Sequence, residues 1–368
     1  MRKLFILLFA GMIGFSACKN FPIEHPDFDY CSASFPYQFP IRNLVLGDYI
    51  YDNSNDNAGI FVISAVMGGV YENKKDRKFV IQVDNTLCNN LFFSSSGNSV
   101  KPMPANYYTL SSNSELIIPK GHFNGGITVQ LTDAFFNDPD AFKRTYAVPI
   151  RLISSDDVDV IIQGDPLFSG ADPRITADWL NPAKNFTVFA VKYWNEYQAT
   201  HLYYGKSTLK NASGQSLQEF TYQERYVEDN RPFVDLITTG RRQVETSANI
   251  NLRSNTNMPG SVKLVFDFNT SNACTISGTG TYQRTVSDIT YTTSYVVQGT
   301  GNFTTVKAQT YGGWGNKDRN VINANYSVSV LSTNDPNINP ENIYTAEDVF
   351  VVRDRNVTFE SYSPAVIM

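Results

Sequence analysis

The amino-acid sequence predicts an all-β protein built from two consecutive units. Three observations carry this prediction: short apolar or alternating runs recur along the chain, turn-forming clusters separate them, and helical periodicity is minor throughout. The 368 residues are 42% hydrophobic and 18% charged, which is typical of a folded protein rather than a disordered one. Tyrosine (21) and phenylalanine (25) supply nearly all of the aromatic residues, and both residue types are common in strands.

The first eighteen residues have the pattern of a bacterial lipoprotein signal. Arg2 and Lys3 give a basic start, and the apolar run over residues 4–15 is too short to span a bilayer comfortably. Small residues then stand directly before a cysteine, in Phe15-Ser16-Ala17-Cys18. We therefore expect residues 1–17 to be a signal peptide, Cys18 to carry lipid, and residues 18–40 to form a lipidated tether. The alternative is an ordinary secretory signal in which Cys18 occurs by coincidence.

The first unit, residues 41–168, is predicted to be an immunoglobulin-like β-sandwich. About seven short strands fall within about 120 residues, which is the spacing that this fold requires. Turn clusters rich in Asn, Asp, Ser and Gly separate the strands. The expected strands include Gly59-Ile-Phe-Val-Ile-Ser-Ala-Val, Lys78-Phe-Val-Ile-Gln-Val-Asp, Glu115-Leu-Ile-Ile-Pro, Ile127-Thr-Val-Gln-Leu and Tyr146-Ala-Val-Pro-Ile-Arg-Leu-Ile.

The second unit is predicted to span residues 175–368, with a boundary near residues 165–178. Two proline-containing turns, Gly164-Asp-Pro and Gly170-Ala-Asp-Pro, mark that boundary. About eight strands with alternating small and aromatic positions favour an antiparallel barrel or a second sandwich. These strands include Phe186-Thr-Val-Phe-Ala-Val-Lys-Tyr, Val262-Lys-Leu-Val-Phe-Asp-Phe, Thr290-Tyr-Thr-Thr-Ser-Tyr-Val-Val, Asn323-Ala-Asn-Tyr-Ser-Val-Ser-Val and Asp348-Val-Phe-Val-Val-Arg-Asp.

Composition and motifs exclude several classes of function. The formal net charge is −5 and no basic stripe is visible, so nucleic acid is not an expected partner. Three His and four Cys are too few for a His-rich metal site or a dense disulfide framework, and no metal or cofactor is expected. Cys31 and Cys88 are candidates for one disulfide, with buried free thiols as the alternative. The three histidines, among them His201, are assigned to the surface or to turns.

The aromatic residues provide a candidate binding site. Sugar rings present C–H faces that stack on aromatic planes, while neighbouring amides and carboxylates bind the hydroxyl groups. The glycine-rich connection over residues 311–319 combines aromatic, amide and charged side chains. Its glycines let the backbone turn tightly, so that the ring of Trp314 can be exposed. A second aromatic cluster contains Trp194 and Tyr197. The candidate glycan-binding residues are Tyr311, Trp314, Asn316, Asp318 and Arg319, together with Trp194 and Tyr197. The alternative is that Trp314 and the tyrosines pack inside the fold.

Several segments resemble a family of surface lipoproteins from Bacteroidetes. They are Gly68-Gly-Val-Tyr-Glu-Asn, Val83-Asp-Asn-Thr-Leu, Met103-Pro-Ala-Asn-Tyr-Tyr-Thr-Leu, Ile117-Ile-Pro-Lys-Gly, Val129-Gln-Leu-Thr-Asp-Ala-Phe-Phe and Tyr146-Ala-Val-Pro-Ile. The N-terminal domain of that family also precedes family-18 endo-β-N-acetylglucosaminidase modules. Ala190-Val-Lys-Tyr and Val351-Val-Arg-Asp-Arg-Asn-Val-Thr-Phe-Glu resemble the lipocalin-like β-barrel domain of its non-enzymatic members.

The resemblance implies a glycan-binding component of a polysaccharide-utilisation system. Such a protein would sit in the outer membrane facing the exterior, hold an oligosaccharide or polysaccharide, and work beside outer-membrane transporter components. The family-18 hydrolase signature Asp-x-x-Asp-x-Asp-x-Glu is not present: in the nearest text, which starts at Asp156, Ile161 and Gln163 replace the third Asp and the acid. We therefore expect no enzymatic activity and no catalytic residues. The competing hypothesis is a structural or adhesin-like lipoprotein of the cell envelope that binds protein.

Overall fold

The computed structural model describes residues 30–222, 233–252, 258–306 and 318–367. The prediction of fold class is confirmed, because a sandwich is followed by a closed eight-stranded antiparallel barrel. The signal peptide, Cys18, and the loop residues Tyr311, Trp314 and Asn316 lie outside the described residues.

The strands of the first half, with two short helices between them, run as follows. They are β1 (Ser32–Ser34), β2 (Pro40–Val45), α1 (Ser54–Asn57), β3 (Ile60–Gly68), β4 (Arg77–Val83), β5 (Leu91–Phe92), β6 (Lys101–Pro102), β7 (Tyr108–Leu110), β8 (Glu115–Ile118), β9 (Asn124–Leu131), α2 (Asp133–Phe136), β10 (Tyr146–Ser154), β11 (Val160–Ile161), β12 (Asp165–Pro166), β13 (Trp179–Asn181) and β14 (Phe186–Trp194). Single 3₁₀ turns occupy Asn85–Cys88, Ala105–Tyr107 and Thr176–Asp178.

The second half contributes the barrel strands and two short terminal strands. They are β15 (Ala199–Lys210), β16 (Ser216–Tyr222), β17 (Phe233–Gly240), β18 (Gln243–Thr246), β19 (Ile250–Asn251), β20 (Ser261–Val262), β21 (Val265–Phe268), β22 (Ala273–Val286), β23 (Ile289–Val306), β24 (Arg319–Thr333), β25 (Ile343–Asp354), β26 (Glu360–Ser361) and β27 (Ala365–Val366).

The sandwich packs two sheets face to face. One sheet has the strand order β11-β1-β3-β9-β7, and the other has the order β26-β2-β14-β10-β4-β8. Alternate residues of each strand enter the core between the sheets, as the period of two requires. This core includes Phe35, Phe61, Phe79, Leu116, Val129, Phe135, Ile150 and Tyr193. Strand β1 lies inside the first sheet, so the chain belongs to the sandwich from Ser32 onward. The expected tether over residues 18–40 is therefore too long at its C-terminal end.

The expected start of the second unit at residue 175 is wrong, because strand β14 belongs to the sandwich. Strand β14 pairs antiparallel with β10 and parallel with β2, so it lies in the middle of a sandwich sheet. It is apolar on both faces: Val191 and Tyr193 enter the core between the sheets, while Phe186 and Val188 pack on the outer side. The sequence of a strand that is buried on both faces is a nearly continuous run of apolar residues. The sandwich therefore extends to Trp194.

The C-terminal segment returns to the sandwich after the barrel is complete. Strand β26 pairs with β2 at the edge of the second sheet, and β27 pairs with β5. Tyr362 is buried between these strands, and its hydroxyl donates to the carbonyl oxygen of Val188 at 3.0 Å. The expected assignment of all residues up to 368 to the barrel is therefore corrected, since residues 360–366 complete the first unit.

The barrel closes by pairing its first and last strands. Its strands follow the order β15-β17-β18-β21-β22-β23-β24-β25, and β25 pairs back onto β15. The interior is filled by large side chains, including Tyr203, Phe266, Phe268, Tyr295, Tyr326, Tyr344 and Phe350. Small residues make room for them: a Cβ on Gly299 would lie 2.6 Å from the Cβ of Tyr326. The alternation of small and aromatic residues along the barrel strands thus reflects the packing of the barrel interior.

Polar groups are also enclosed in the barrel. Asp348 is buried and accepts hydrogen bonds from the hydroxyl groups of Tyr326, at 2.8 Å, and Tyr222. His201 is fully buried, with Nδ1 3.0 Å from the carbonyl oxygen of Ala199. The assignment of His201 to a surface or a turn is therefore wrong. Burial lowers its pKa to about 3, so the imidazole is neutral at physiological pH.

The carboxylate of Glu360 fastens the C-terminal segment to the sandwich. Its oxygens lie 2.6 Å from Nδ2 of Asn43, 3.1 Å from Nζ of Lys192 and 2.9 Å from Nη2 of Arg144. Burial alone would raise the pKa of Glu360, but the hydrogen bonds from Arg144 and Asn43 and the charge of Lys192 outweigh it and hold the pKa below its usual value. Glu360 is therefore charged in the folded protein at neutral pH.

We predict that Glu360→Gln lowers the free energy of unfolding by about 1–3 kcal/mol at pH 7, since the largely buried ammonium group of Lys192 loses its counter-charge. The folded pKa lies below the unfolded value of about 4.3, so this contribution is present above that pH and is lost as pH falls through the folded pKa. Urea unfolding between pH 7 and pH 3 measures both effects. Glu347→Gln, whose partner Lys206 is equally exposed, is the control and should cost less than about 1 kcal/mol.

Candidate functional site

The two units meet at a seam where β14 ends and β15 begins. Asn195, the first residue after β14, is buried there, and its Nδ2 donates to the carbonyl oxygens of Gly240 (3.0 Å) and Gln243 (2.9 Å). Its backbone N–H donates to Oγ1 of Thr238 at 3.0 Å. Because all three partners belong to the barrel hairpin β17–β18, Asn195 fixes that hairpin against the end of the sandwich strand.

Arg355, the residue after β25, also lies at the seam and is hydrogen-bonded to a sandwich loop and to the linker between the units. Its exposed fraction is 7%, and it donates through Nη1 to the carbonyl oxygens of Leu46 (3.0 Å) and Asp48 (3.2 Å) and through Nη2 to that of Asn195 (2.8 Å). Burial lowers the pKa of the guanidinium to about 10, which leaves it charged at neutral pH. One cation therefore joins the end of a barrel strand, a sandwich loop and the linker between the units.

A pocket of about 240 Å³ opens beside this seam. The sandwich contributes the loop that follows β2, and the barrel contributes the end of β23, the start of β24 and the end of β25. It is lined by Asp48, Tyr49, Ile50, Thr305, Asp318, Arg319, Asn320, Val352, Arg353, Asp354 and Arg355. We call this cavity the seam pocket.

Hydrogen bonds hold the polar lining of the seam pocket in place. Nδ2 of Asn320 donates to the carboxylate of Asp48 at 3.2 Å, and Oγ1 of Thr305 donates to Oδ1 of Asn320 at 2.8 Å. Nη1 of Arg319 lies 3.5 Å from the carbonyl oxygen of Arg353. The first of these bonds crosses from the barrel to the sandwich, so the pocket depends on both units.

Tyr49 lines the pocket on its sandwich side, and Tyr51, which does not line the pocket, packs against Tyr49. The rings of Tyr49 and Tyr51 meet edge to face, with centroids 5.6 Å apart and an interplanar angle of 74°. Tyr51 has an exposed fraction of 69%. Burial and the carboxylate of Asp354 raise the pKa of Tyr49, so its phenol is a hydrogen-bond donor at neutral pH. An exposed ring thus stands beside acceptors and donors of both charges.

The structure brings some of the sequence-predicted residues together and separates others. Asp318 and Arg319 line the seam pocket. Trp194 is half-buried at the end of β14, and Nζ of Lys192 lies 5.9 Å from its ring centroid; it does not line the pocket. Tyr197 is fully buried in the barrel core, stacked on Phe268 with centroids 3.8 Å apart. Tyr197 therefore has no free face for a sugar and leaves the candidate set.

Sequence reasoning missed the sandwich side of the site. Asp48, Tyr49 and Tyr51 follow Gly47 in a loop after a short strand, next to an Asn- and Asp-rich turn. A loop that alternates tyrosines with an acid was a usable signal. Nothing local, however, indicated that this loop meets the barrel residues near 318, which are far away in the chain.

The described residues form neither a metal cluster nor a disulfide. Within the described ranges, no group of three or more His, Cys, Asp and Glu side chains is placed to hold a metal ion. Cys31, Cys88 and Cys274 are buried with free thiols, so the candidate Cys31–Cys88 disulfide is not formed. No helix over the described part of the chain is long and apolar enough to cross a membrane.

Two family models match the chain, one in each unit. Residues 28–159 match a family model described as an N-terminal domain, and residues 196–356 match a domain of unknown function (DUF5627). These ranges correspond to most of the sandwich and to the barrel. No curated protein matches the chain.

Solved structures of Bacteroides ovatus proteins are also similar. A protein of unknown function is 29% identical over 92% of this chain and 100% of that chain, with a TM-score of 0.77. A multidomain protein including DUF1735 is 11% identical over 90% of this chain and 100% of that chain, with a TM-score of 0.38. One described as a "putative carbohydrate binding protein" is 12% identical over 67% of this chain and 66% of that chain, with a TM-score of 0.27. Only the first resembles this chain closely enough to inform the fold.

The fold and the seam define a class of two-unit β-protein in which a discontinuous sandwich carries an eight-stranded barrel. Residues 28–159 are similar to a family of N-terminal domains, and residues 196–356 are similar to DUF5627. Its structural relatives are Bacteroides proteins of unknown function.

We predict that Arg355→Leu destabilises the protein by about 2–4 kcal/mol, because three carbonyl oxygens at the seam lose the buried guanidinium that donates to them. Urea or thermal unfolding measures the loss. Arg353→Leu is the matched control on the same strand: Arg353 is exposed, and its guanidinium lies 4.5 Å from the ring centroid of Phe233. The control should cost about 1 kcal/mol or less. Equal losses in the two variants would contradict the role assigned to Arg355.

Proposed function

We propose that this protein binds glycan at the seam pocket, as a non-catalytic lipoprotein of a polysaccharide-utilisation system at the outer surface of the cell. The observation that carries the proposal is the conjunction of an exposed ring with fixed polar groups. The exposed ring of Tyr51 packs against Tyr49, and Tyr49 lines the cavity together with Asp48, Arg319 and Asn320.

The chemistry of this pocket suits a sugar better than an apolar ligand. A pyranose needs one flat apolar face for its C–H groups and several polar atoms for its hydroxyl groups. Tyr51 offers the ring face, while the carboxylate of Asp48 accepts hydrogen bonds and the guanidinium of Arg319 donates them. Because Asn320 already holds Asp48, the acceptor is positioned before any ligand arrives.

The size of the pocket limits what it can hold. Its volume of about 240 Å³ is below the roughly 300–1,000 Å³ of sites that enclose a drug-sized ligand. The seam pocket therefore fits one sugar unit or a chain end, with the remaining units lying over the exposed tyrosine.

Two carboxylates of the pocket lining are already held by hydrogen bonds. Asp48 accepts from Asn320, and Asp354 accepts from the backbone N–H of Asn356 at 3.0 Å. We propose that both groups act as acceptors for sugar hydroxyls.

The proposed location and partners rest on the sequence. Cys18 follows small residues at the end of a short apolar run, which is the pattern of a lipid-attachment site. Several acyl chains would anchor the protein firmly, since each buried methylene contributes about 0.8 kcal/mol. Outer-membrane transporter components are the proposed partners that would receive the bound oligosaccharide.

We predict that Tyr51→Ala and Trp314→Ala each weaken glycan binding about tenfold or more without unfolding the protein, since an aromatic platform contributes about 1–2 kcal/mol. A glycan array on the mature protein identifies the ligand, and calorimetry on the best glycan gives the affinities. Tyr71→Ala, at an exposed tyrosine elsewhere on the sandwich, is the matched control and should bind normally. Unchanged affinity in both folded variants would remove the seam pocket from the proposal, and release of sugar products would remove the non-catalytic role.

We predict that Cys18→Ala releases the protein from membranes, because the thiol that carries the lipid is lost. Fractionation of cells followed by a carbonate wash measures the effect, and Cys31→Ala is the control with an unchanged anchor. If the Cys18→Ala protein remains with washed membranes, the lipoprotein assignment fails.

A further inference from the structure

The sandwich exposes an apolar ribbon on one side. The ribbon consists of β12 and β13 with the segment between them, residues 165–181. Three large apolar side chains project from it, with exposed fractions of 61% for Leu167, 54% for Phe168 and 71% for Leu180. The segment 166–171 reads Pro-Leu-Phe-Ser-Gly-Ala and carries no charge. Exposed apolar side chains grouped in this way mark an interaction surface.

Hydrogen bonds and an ion pair fix the ribbon to the rest of the sandwich. Nη1 of Arg174 donates to the carbonyl oxygen of Leu87 at 3.0 Å, and Nη2 pairs with the carboxylate of Asp172 at 2.6 Å. Nε1 of Trp179 donates to the carbonyl oxygen of Asp172 at 2.8 Å, and its ring packs against the core on the outer side of the sheet. Since successive side chains of a strand alternate, Leu180 points away from the face that Trp179 buries.

The ribbon lies where the chain enters the fold. Tyr30, the first described residue, lines a groove of about 840 Å³ together with Gly164, Asp165, Asn181 and Pro182, which belong to the ribbon or adjoin its strands. Residues 18–29 connect Cys18 to this point, and twelve extended residues span at most about 40 Å. A bilayer that holds Cys18 is therefore within reach of the ribbon.

We propose that the apolar face of the ribbon, formed by Leu167, Phe168 and Leu180, rests on the lipid surface that anchors Cys18. This inference rests on the proposed lipid anchor and is independent of glycan binding. The acyl chains hold the protein at the membrane, and the ribbon selects which side of the sandwich faces it. Apolar side chains on an uncharged segment enter the boundary between headgroups and acyl chains, as interfacial anchors do.

The charge near the ribbon is compatible with this orientation. The carboxylate of Asp165 accepts from Nδ2 of Asn181 at 2.6 Å, and Asp172 is neutralised by Arg174. Two of the three acidic groups of the ribbon thus have a partner within it, and Asp178 is the third. The alternative occupant of the same face is a protein partner, which the competing adhesin-like hypothesis would require.

The test places a fluorophore on the ribbon. Ser169→Cys, labelled with an environment-sensitive dye, gives one reactive site because Cys31, Cys88 and Cys274 are buried. The acylated full chain is reconstituted in vesicles of phosphatidylethanolamine and phosphatidylglycerol, and mass spectrometry of the N-terminal peptide verifies the acylation. We expect blue-shifted emission that nitroxide lipids quench. The same dye at Ser287→Cys, in the exposed turn between β22 and β23, should stay water-like.

Two variants separate the possible results. Leu167→Ser with Leu180→Ser should abolish the blue shift while the protein stays acylated, whereas Leu331→Ser, at an exposed leucine of the barrel, should leave it unchanged. A water-like signal at position 169 in acylated protein overturns the ribbon proposal and leaves the anchor intact. A protein without acylation overturns the anchor itself. A blue shift that needs an added envelope protein overturns the lipid surface in favour of a protein partner.

Discussion

The relative placement of the two units depends on a buried guanidinium that has only carbonyl oxygens as hydrogen-bond partners in the described structure. Removing a cation from water is costly, so Arg355 can be buried only where several acceptors converge on it. Those acceptors come from the sandwich loop after β2 and from Asn195, which itself requires the barrel hairpin. The hydrogen bonds of Arg355 require both units in place: if either unit moves, the guanidinium loses some of its carbonyl partners. The seam pocket exists because this geometry holds a sandwich loop against the ends of three barrel strands.

The fold class could be predicted from the sequence, whereas the division of the chain between the units could not. Period-two alternation and turn clusters are local signals, and they identified the strands on both sides of the seam. Strand β14 was assigned to the wrong unit because a run such as Phe186-Thr-Val-Phe-Ala-Val shows that a strand is buried on both faces but not which sheet buries it. The pairing of Glu360 with the edge of β2 joins residues more than three hundred positions apart, and no local pattern records such a contact.

The candidate site was half predicted for a similar reason. Asp318 and Arg319 were selected because a glycine-rich connection that mixes aromatic, amide and charged residues is typical of a binding loop, and both line the seam pocket. Tyr197 was selected because it stands in a run of tyrosines, but a tyrosine at a core position and one on a binding surface look alike in sequence. Its hydroxyl finds a partner in Asn272 at 2.9 Å, which is how the barrel tolerates a buried phenol. Tyr49 and Tyr51 were missed because their importance comes from what lies across the seam.

The return of residues 360–366 to the sandwich has a consequence for the order in which the two units are completed. The first sandwich strands are synthesised early, yet the sheet edge at β2 is covered only when β26 arrives. Until then that edge offers unpaired backbone groups to any other strand, while the barrel strands β15 to β25 all precede β26 and can pair before it is made. The unit synthesised first is thus the one completed last. A chaperone that shields a β-edge during this interval would protect the molecule at its most vulnerable stage.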